Sequence, residues 1–231
     1  MQGHAVAGIL RHVRGMDVPA SVVRSRDDVT EPIVALTFDD GPSEWTEPIL
    51  DVLHDAGAHA TFFVIGDAVA GNEGILRRIR AEGHEVGNHT MTHARLDAVT
   101  RRTVAREIRG TSRIVEQALG AAPTAFRPPG FRYTAAVLEV ARAAGYDSVI
   151  LSSVATDDYL RERAEEIVEA ILPRVRPGAI VDLHDGRPPR EPSPEEGGTR
   201  ADRWPTVQAV GVLIDALPDY AFVTISELLA R

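Results

Sequence analysis

The 231-residue chain contains no cysteine, which excludes disulfides and thiolate metal ligands alike. Aromatic residues make up only 5%, and no stretch approaches the ~20 consecutive apolar residues of a membrane span. The first residues, MQGHAVAGILRHVRGMDVPAS, never reach the apolar run of a secretory signal. The expectation is a cytoplasmic location if Met1 is the true start, and a secreted protein if an export signal has been removed. Positive charge is also scarce: 25 Lys and Arg against 34 Asp and Glu leave a formal net charge of −9. No basic stripe stands out, so nucleic acid is not expected as a partner, and nothing draws the chain to an anionic membrane. What is present suits one folded domain, with 44% hydrophobic and 26% charged residues, enough for a sizeable buried core.

Short apolar runs at 33–38, 59–65, 84–87, 124–127, 147–151, 179–183 and 221–224 read as strands. Amphipathic stretches around 47–56, 73–81, 101–119, 134–144, 164–175 and 204–217 read as helices. This alternation indicates βα units and a parallel sheet. About seven units in one domain favour an α/β barrel over an open doubly wound sheet. Two segments interrupt the rhythm. Residues 1–30 read as a weakly structured N-terminal extension to a domain spanning 31–231. Residues 186–203, GRPPREPSPEEGGTRADR, read either as a surface insertion or as a loop facing a substrate.

Five clusters carry potential chemistry. In Thr37-Phe38-Asp39-Asp40-Gly41 an apolar strand ends in two adjacent acids. Asp-Asp-Gly-Pro is good turn chemistry, but neighbouring carboxylates also project differently, so one can ligate a cation while the other faces a reacting water. In His89-Thr90-Met91-Thr92-His93 the i, i+4 spacing places two imidazoles on one face of a helical turn, where both can reach one ion. His4, His12, His54, His59 and His84 lack such a partner. Two histidines and one carboxylate leave coordination positions open and suit Zn²⁺, Co²⁺, Ni²⁺ or Mn²⁺. Phe126-Arg127-Pro128-Pro129-Gly130 is a stiff turn whose arginine either pairs with an acid or lies on the surface. Asp157-Asp158-Tyr159 and the run 180–186, which contains His184, complete the set. A histidine closing an apolar strand is either structural or, beside a carboxylate, a general acid with a raised pKa. All five clusters fall at C-terminal strand ends, the rim where barrel enzymes gather catalytic groups.

Taken in order, TFDDG (37–41), HTMTH (89–93), FRPPG (126–130), DDY (157–159) and VDLHDG (181–186) resemble the carbohydrate esterase family 4 polysaccharide deacetylases, the NodB homology domain. The likeness runs from about residue 33 to the C-terminus. It implies a distorted, seven-stranded (β/α) barrel and metal-dependent hydrolysis of N-acetyl, sometimes O-acetyl, groups on a carbohydrate. It also implies roles: Asp40, His89 and His93 as ligands of one divalent ion, zinc foremost; Asp39 as base, buttressed by Arg127; His184 as acid, oriented by Asp158. Tyr159 stands where the family usually has Trp. Ala155 stands where an Asp is frequent, and Gly130 where an aromatic is common, which opens one wall of the groove while keeping a backbone N–H for the oxyanion. Asp182 replaces an apolar residue that helps form the pocket for the acetyl methyl. Asp182, the loop 186–203 and the lack of an export signal leave a rival reading, a deacylase or deformylase of a small amino sugar or secondary metabolite. A different rival is a carbohydrate-binding protein that kept the fold without catalysis. Ala155 and Asp182 favour it, whereas Asp39, Arg127 and His184 weigh against it.

Overall fold

A computed structural model describes residues 20–188 and 202–231. The order is β1 (Ser21–Val23), β2 (Ile33–Asp39), α1 (Thr46–Ala56), β3 (Ala60–Val64), α2 (Gly66–Val69), α3 (Glu73–Ala81), β4 (Glu85–Asn88), α4 (Arg101–Leu119) and α5 (Ala135–Ala143). It continues with β5 (Ser148–Ile150), β6 (Val154–Ala155), α6 (Ala164–Ile171), β7 (Ala179–His184), α7 (Trp204–Ala216), β8 (Ala221–Phe222) and α8 (Ile225–Leu229).

These strands form a parallel, distorted (β/α) barrel. Central β2 pairs with β7, β3 and β8; β3 pairs with β4 and β7 with β6. Phe126 bridges Asn88 on one side and Val149 of β5 on the other, which carries the ring from β4 to β5. Every β2 residue is buried, as expected of a strand covered on both faces. Its side chains alternate. Val34, Leu36 and Phe38 pack outward among residues of α1, α6 and α7, while Ile33 and Ala35 join Phe63, Ile150, Ile180 and Val223 inside the ring. The same period of two sends Thr37 and Asp39 inward at the top of β2, and Asp182 and His184 inward at the top of β7. The register sets Thr37 opposite Asp182 and Asp39 opposite His184.

Three details depart from the sequence pattern. The run 124–127 forms no regular strand, only the Phe126 bridges, because Pro128 and Pro129 have no N–H to extend a ladder. The run 147–151 is followed by a bend, so β5 meets β1 while the short β6 meets β7. Residues 20–30 do not trail away. β1 pairs in register with β5, and Ala20 and Val29 are buried, so the folded body begins before residue 31. Three strand residues are too short a run to stand out in a sequence. The first nineteen residues of the expected extension, with His4 and His12, lie outside the described residues. Among the described residues, no helix is long and apolar enough to cross a membrane.

Candidate active site

The strand tops open into a cleft of about 320 Å³ lined by Asp39, Asp40, His89, His93, Gly130, Phe131, Ala155, Asp157, Tyr159, Asp182, His184, Pro188 and Arg203. Among the described residues, five non-glycine residues have positive φ: Asp40, Thr90, His93, Phe131 and Asp157. Four line the cleft and Thr90 lies between two lining histidines. Backbone in this region costs each residue roughly 1 kcal/mol or more and persists only where surrounding contacts enforce it.

One consequence concerns the histidine pair. The expected helical turn is absent: residues 89–93 form an irregular loop with Thr90 and His93 left-handed. Tertiary hydrogen bonds hold it. The His89 N–H donates to Val64 O at 2.9 Å, and the Gly66 and Asp67 N–H groups donate to Thr90 O and Met91 O. Asn88 Oδ1 accepts from the Thr90 N–H, and buried Glu107 on α4 accepts from both the N–H and the hydroxyl of Thr92. The imidazoles still converge, with ring centroids 5.1 Å apart.

His89 Nδ1 is tied to Arg127 O at 2.9 Å, which leaves Nε2 facing the cleft. Asp40 Oδ1 lies 3.5 Å from His89 Nε2 and 3.3 Å from His93 Nε2. Such spacings suit donors around one ion at bonds of about 2.1 Å. Asp40 Oδ1 is buried and has no hydrogen-bond partner, a costly state for a carboxylate without a cation. Burial, with the Asp39 and Asp185 charges, pushes the Asp40 carboxyl up to about 7 against the pull of His184 and Arg203. Burial lowers the His89 pKa, favouring the neutral imidazole a metal requires. These donors fit a divalent cation. Among the described residues two groups of His and carboxylate donors lie close enough to share an ion, this one and Asp39, Asp182 and His184, and both are in the cleft.

Behind the pair of acids lies Arg127, fully buried. Its Nη1 donates to Thr37 Oγ1 (2.8 Å), Asp39 Oδ1 (2.7 Å) and Asp182 Oδ1 (2.9 Å), and its Nη2 to Leu151 O (3.3 Å). Its guanidinium carbon also sits 4.2 Å from the Phe63 ring centroid. Burial would raise the Asp39 pKa, but the charges of Arg127, His89 and His184 outweigh it and hold the carboxyl below its usual value. Asp182 goes the other way. Burial and the Asp39 charge push it up to about 8.

Opposite Asp39, His184 Nδ1 bonds Asp158 Oδ1 at 2.7 Å, and the His184 N–H donates to Asp158 Oδ2 at 3.0 Å. Thr206 of α7 donates to the same Oδ2 at 2.8 Å. Burial alone would lower the His184 pKa; Asp158, with the Asp182 and Asp40 charges, raises it well above its ordinary value. The Tyr159 ring meets the imidazole edge-on, 4.8 Å between centroids.

The wall that Gly130 was expected to open is occupied by the next residue, Phe131, which lines the cleft. Ala155, where the family often has an Asp, lines the cleft without a polar side chain, and the buried acids there include Asp182 on Arg127 and Asp158 on His184. Two structural residues escaped the sequence reading. Buried Asp185 accepts from the Gly41 N–H at 3.1 Å and the Thr46 hydroxyl at 2.6 Å, locking the loop after β2 to the end of β7. A Cβ on Gly41 would collide with that carboxylate, and one on Gly186 with Asp40 O. Buried Arg203 donates through Nε to Gly186 O at 2.9 Å. Thus both ends of the loop 186–203 reach the cleft through Pro188 and Arg203, while residues 189–201 lie outside the described residues. The "HDG" run was the one signal that could have exposed Asp185; Arg203 had none.

The polysaccharide deacetylase family model matches residues 26–149. This chain belongs to the polysaccharide deacetylase family. It is 43% identical over 191 residues to a chitooligosaccharide deacetylase of Bradyrhizobium sp. (strain ANU 289), covering 82% of this chain and 86% of that one. It is 36% identical over 203 residues to a peptidoglycan-N-acetylglucosamine deacetylase of Bacillus cereus, covering 86% and 89%. A crystal structure of a peptidoglycan N-acetylglucosamine deacetylase, in complex with 4-naphthalen-1-yl-N-oxidanyl-benzamide, superposes with a TM-score of 0.79 at 30% identity over 91% of this chain and 92% of that one. The distorted barrel and the metal-dependent deacetylase chemistry are therefore those of the family, and neither the small-molecule deacylase nor the non-catalytic binder is favoured.

Proposed function

We propose that this polysaccharide deacetylase removes acetyl from N-acetylglucosamine units of a chitin-like or peptidoglycan-like glycan. In this reading Asp40, His89 and His93 hold one divalent cation, zinc foremost, Asp39 is the base and His184 the acid. The observation that carries the reading is the convergence in one cleft of a three-donor group with an open buried oxygen, a carboxylate paired with buried Arg127 and a histidine bonded to buried Asp158.

A bound cation would supply Lewis acidity, lowering the pKa of a water and polarising a carbonyl. Asp39 has one oxygen on Arg127, and its Oδ2, 3.5 Å from His89 Nε2, faces the three donors. It takes the proton of the attacking water. His184, with Nδ1 anchored on Asp158, gives a proton from Nε2 to the departing nitrogen. An amide needs that proton because an amine anion is a very poor leaving group; an ester needs it less. Gly130 offers a backbone N–H to the developing oxyanion, and Tyr159, Phe131 and Asp182 bound the space around the acyl group.

The test is acetate release from chitooligosaccharides and from peptidoglycan glycan strands. Release should stop in chelator and return with Zn²⁺ or Co²⁺. Full activity in chelator, or no release from either glycan with defined metals, would overturn the reading.

A further inference from the structure

The chain has two tryptophans, and the fold brings them together. Trp45 lies in the turn between β2 and α1, and Trp204 opens α7; their ring centroids are 6.2 Å apart and tilted by 49°. Trp204 is 48% exposed, although both its neighbours, Arg203 and Pro205, are buried. An indole this large held in water on a well-packed helix end points to a ligand surface.

Its position says which ligand. Arg203, one residue earlier, lines the cleft. Thr206, two residues later, bonds the same Asp158 oxygen that accepts the His184 N–H. The short turn Asp158–Leu160 packs against α7, and its Leu160 is 58% exposed. The apolar rim therefore borders the His184 side of the cleft. A group protonated by His184 leaves on that side, and in a glycan the sugar carrying it continues into neighbouring sugars. A pyranose ring presents a face of C–H groups with its hydroxyls at the edge, and a flat indole buries that face while the edge stays in water.

We propose that Trp204, backed by Trp45, is a stacking subsite for a sugar ring next to the one deacetylated. The inference rests on the deacetylase reading above.

Both tryptophans belong to the pair, so tryptophan emission, excited beyond the absorption of the four tyrosines, reads this place alone. Chitopentaose added to the metal-loaded protein should change the emission saturably, and N-acetylglucosamine at the same concentration should not. Trp204→Ala should remove most of that change and raise the KM for chitopentaose about tenfold, with kcat within about twofold. Trp204→Phe should restore most of the affinity, a rescue that a packing defect would not show. Emission unmoved at concentrations that saturate turnover would overturn the subsite and leave the deacetylase reading intact. Emission that follows protein dilution instead of sugar would overturn it in favour of self-association. Saturable, oligosaccharide-dependent emission without any acetate release would uphold the sugar site and sink the deacetylase reading.

Discussion

Arg127 Nη1 stands 2.7 Å from Asp39 and 2.9 Å from Asp182, so one arm of a buried guanidinium serves two buried carboxyls. Two adjacent acids in a low-dielectric site do not both ionise readily. Asp39, held low, carries the charge near neutral pH; Asp182, pushed up to about 8, keeps the proton. Asp182 thus serves as a neutral polar group that steadies Arg127.

Asp182→Asn retains that neutral form. Its kcat/KM at neutral pH should stay within about threefold of wild type. Above about pH 8 wild-type Asp182 ionises and competes for Arg127, so the ratio of variant to wild-type activity should rise there. Paired pH–rate profiles measure this, and a ratio flat with pH contradicts it.

Asp39→Asn should lower kcat by at least ~10²-fold, the usual worth of a general base, with metal content unchanged by elemental analysis. Loss of the metal would mean that Asp39 and Asp40 have exchanged roles.

For Asp158→Asn the readout is the alkaline limb. Asp158 raises the His184 pKa, and an acid must be protonated to act. Removing the charge lowers that pKa, so activity on an amide should fall off at lower pH than in wild type. An unshifted limb would remove Asp158 from the positioning of His184.

Metal and pH should act together on stability. Folded pKa values of Asp40 and Asp185, about 7, and Asp182, about 8, lie above their unfolded values, and His184 is raised as well. From about pH 6.5 to 8.5 the folded, metal-free protein therefore binds more protons than the unfolded chain, and its stability falls as pH rises. His89 and His84, with lowered pKa values, work the other way, but only until their unfolded imidazoles lose the proton, in the lowest part of this window. A cation needs Asp40 ionised and His89 neutral, so it binds better as pH rises. The Tm of metal-free protein should drop across this window, and the gain on adding Zn²⁺ should be larger at its upper end. A gain independent of pH would exclude Asp40 as a ligand.

Much of this was legible in the residues. The helices at 73–81 and 101–119 follow the apolar period closely, because burial of one face sets both the pattern and the helix. The site was legible as far as strand ends reach. Asp39 and His184 each close an apolar run, and parallel strands of one barrel deliver their ends to one rim.

What the sequence by itself determined is therefore local: element type, inward or outward facing, and a set of chemically apt residues at strand tops. Tertiary structure alone decided the rest. The two histidines meet through a strained loop braced by Asn88, Glu107 and Val64, not through a helical turn. Phe131 takes the wall left by Gly130, and Asp182 becomes the partner of Arg127, 55 residues away. Asp185 and Arg203 clamp the cleft from a neighbouring loop. Periodicity encodes which way a side chain points, but not which distant group it meets. That depends on strand register and loop path, and in a buried site the group it meets sets its charge.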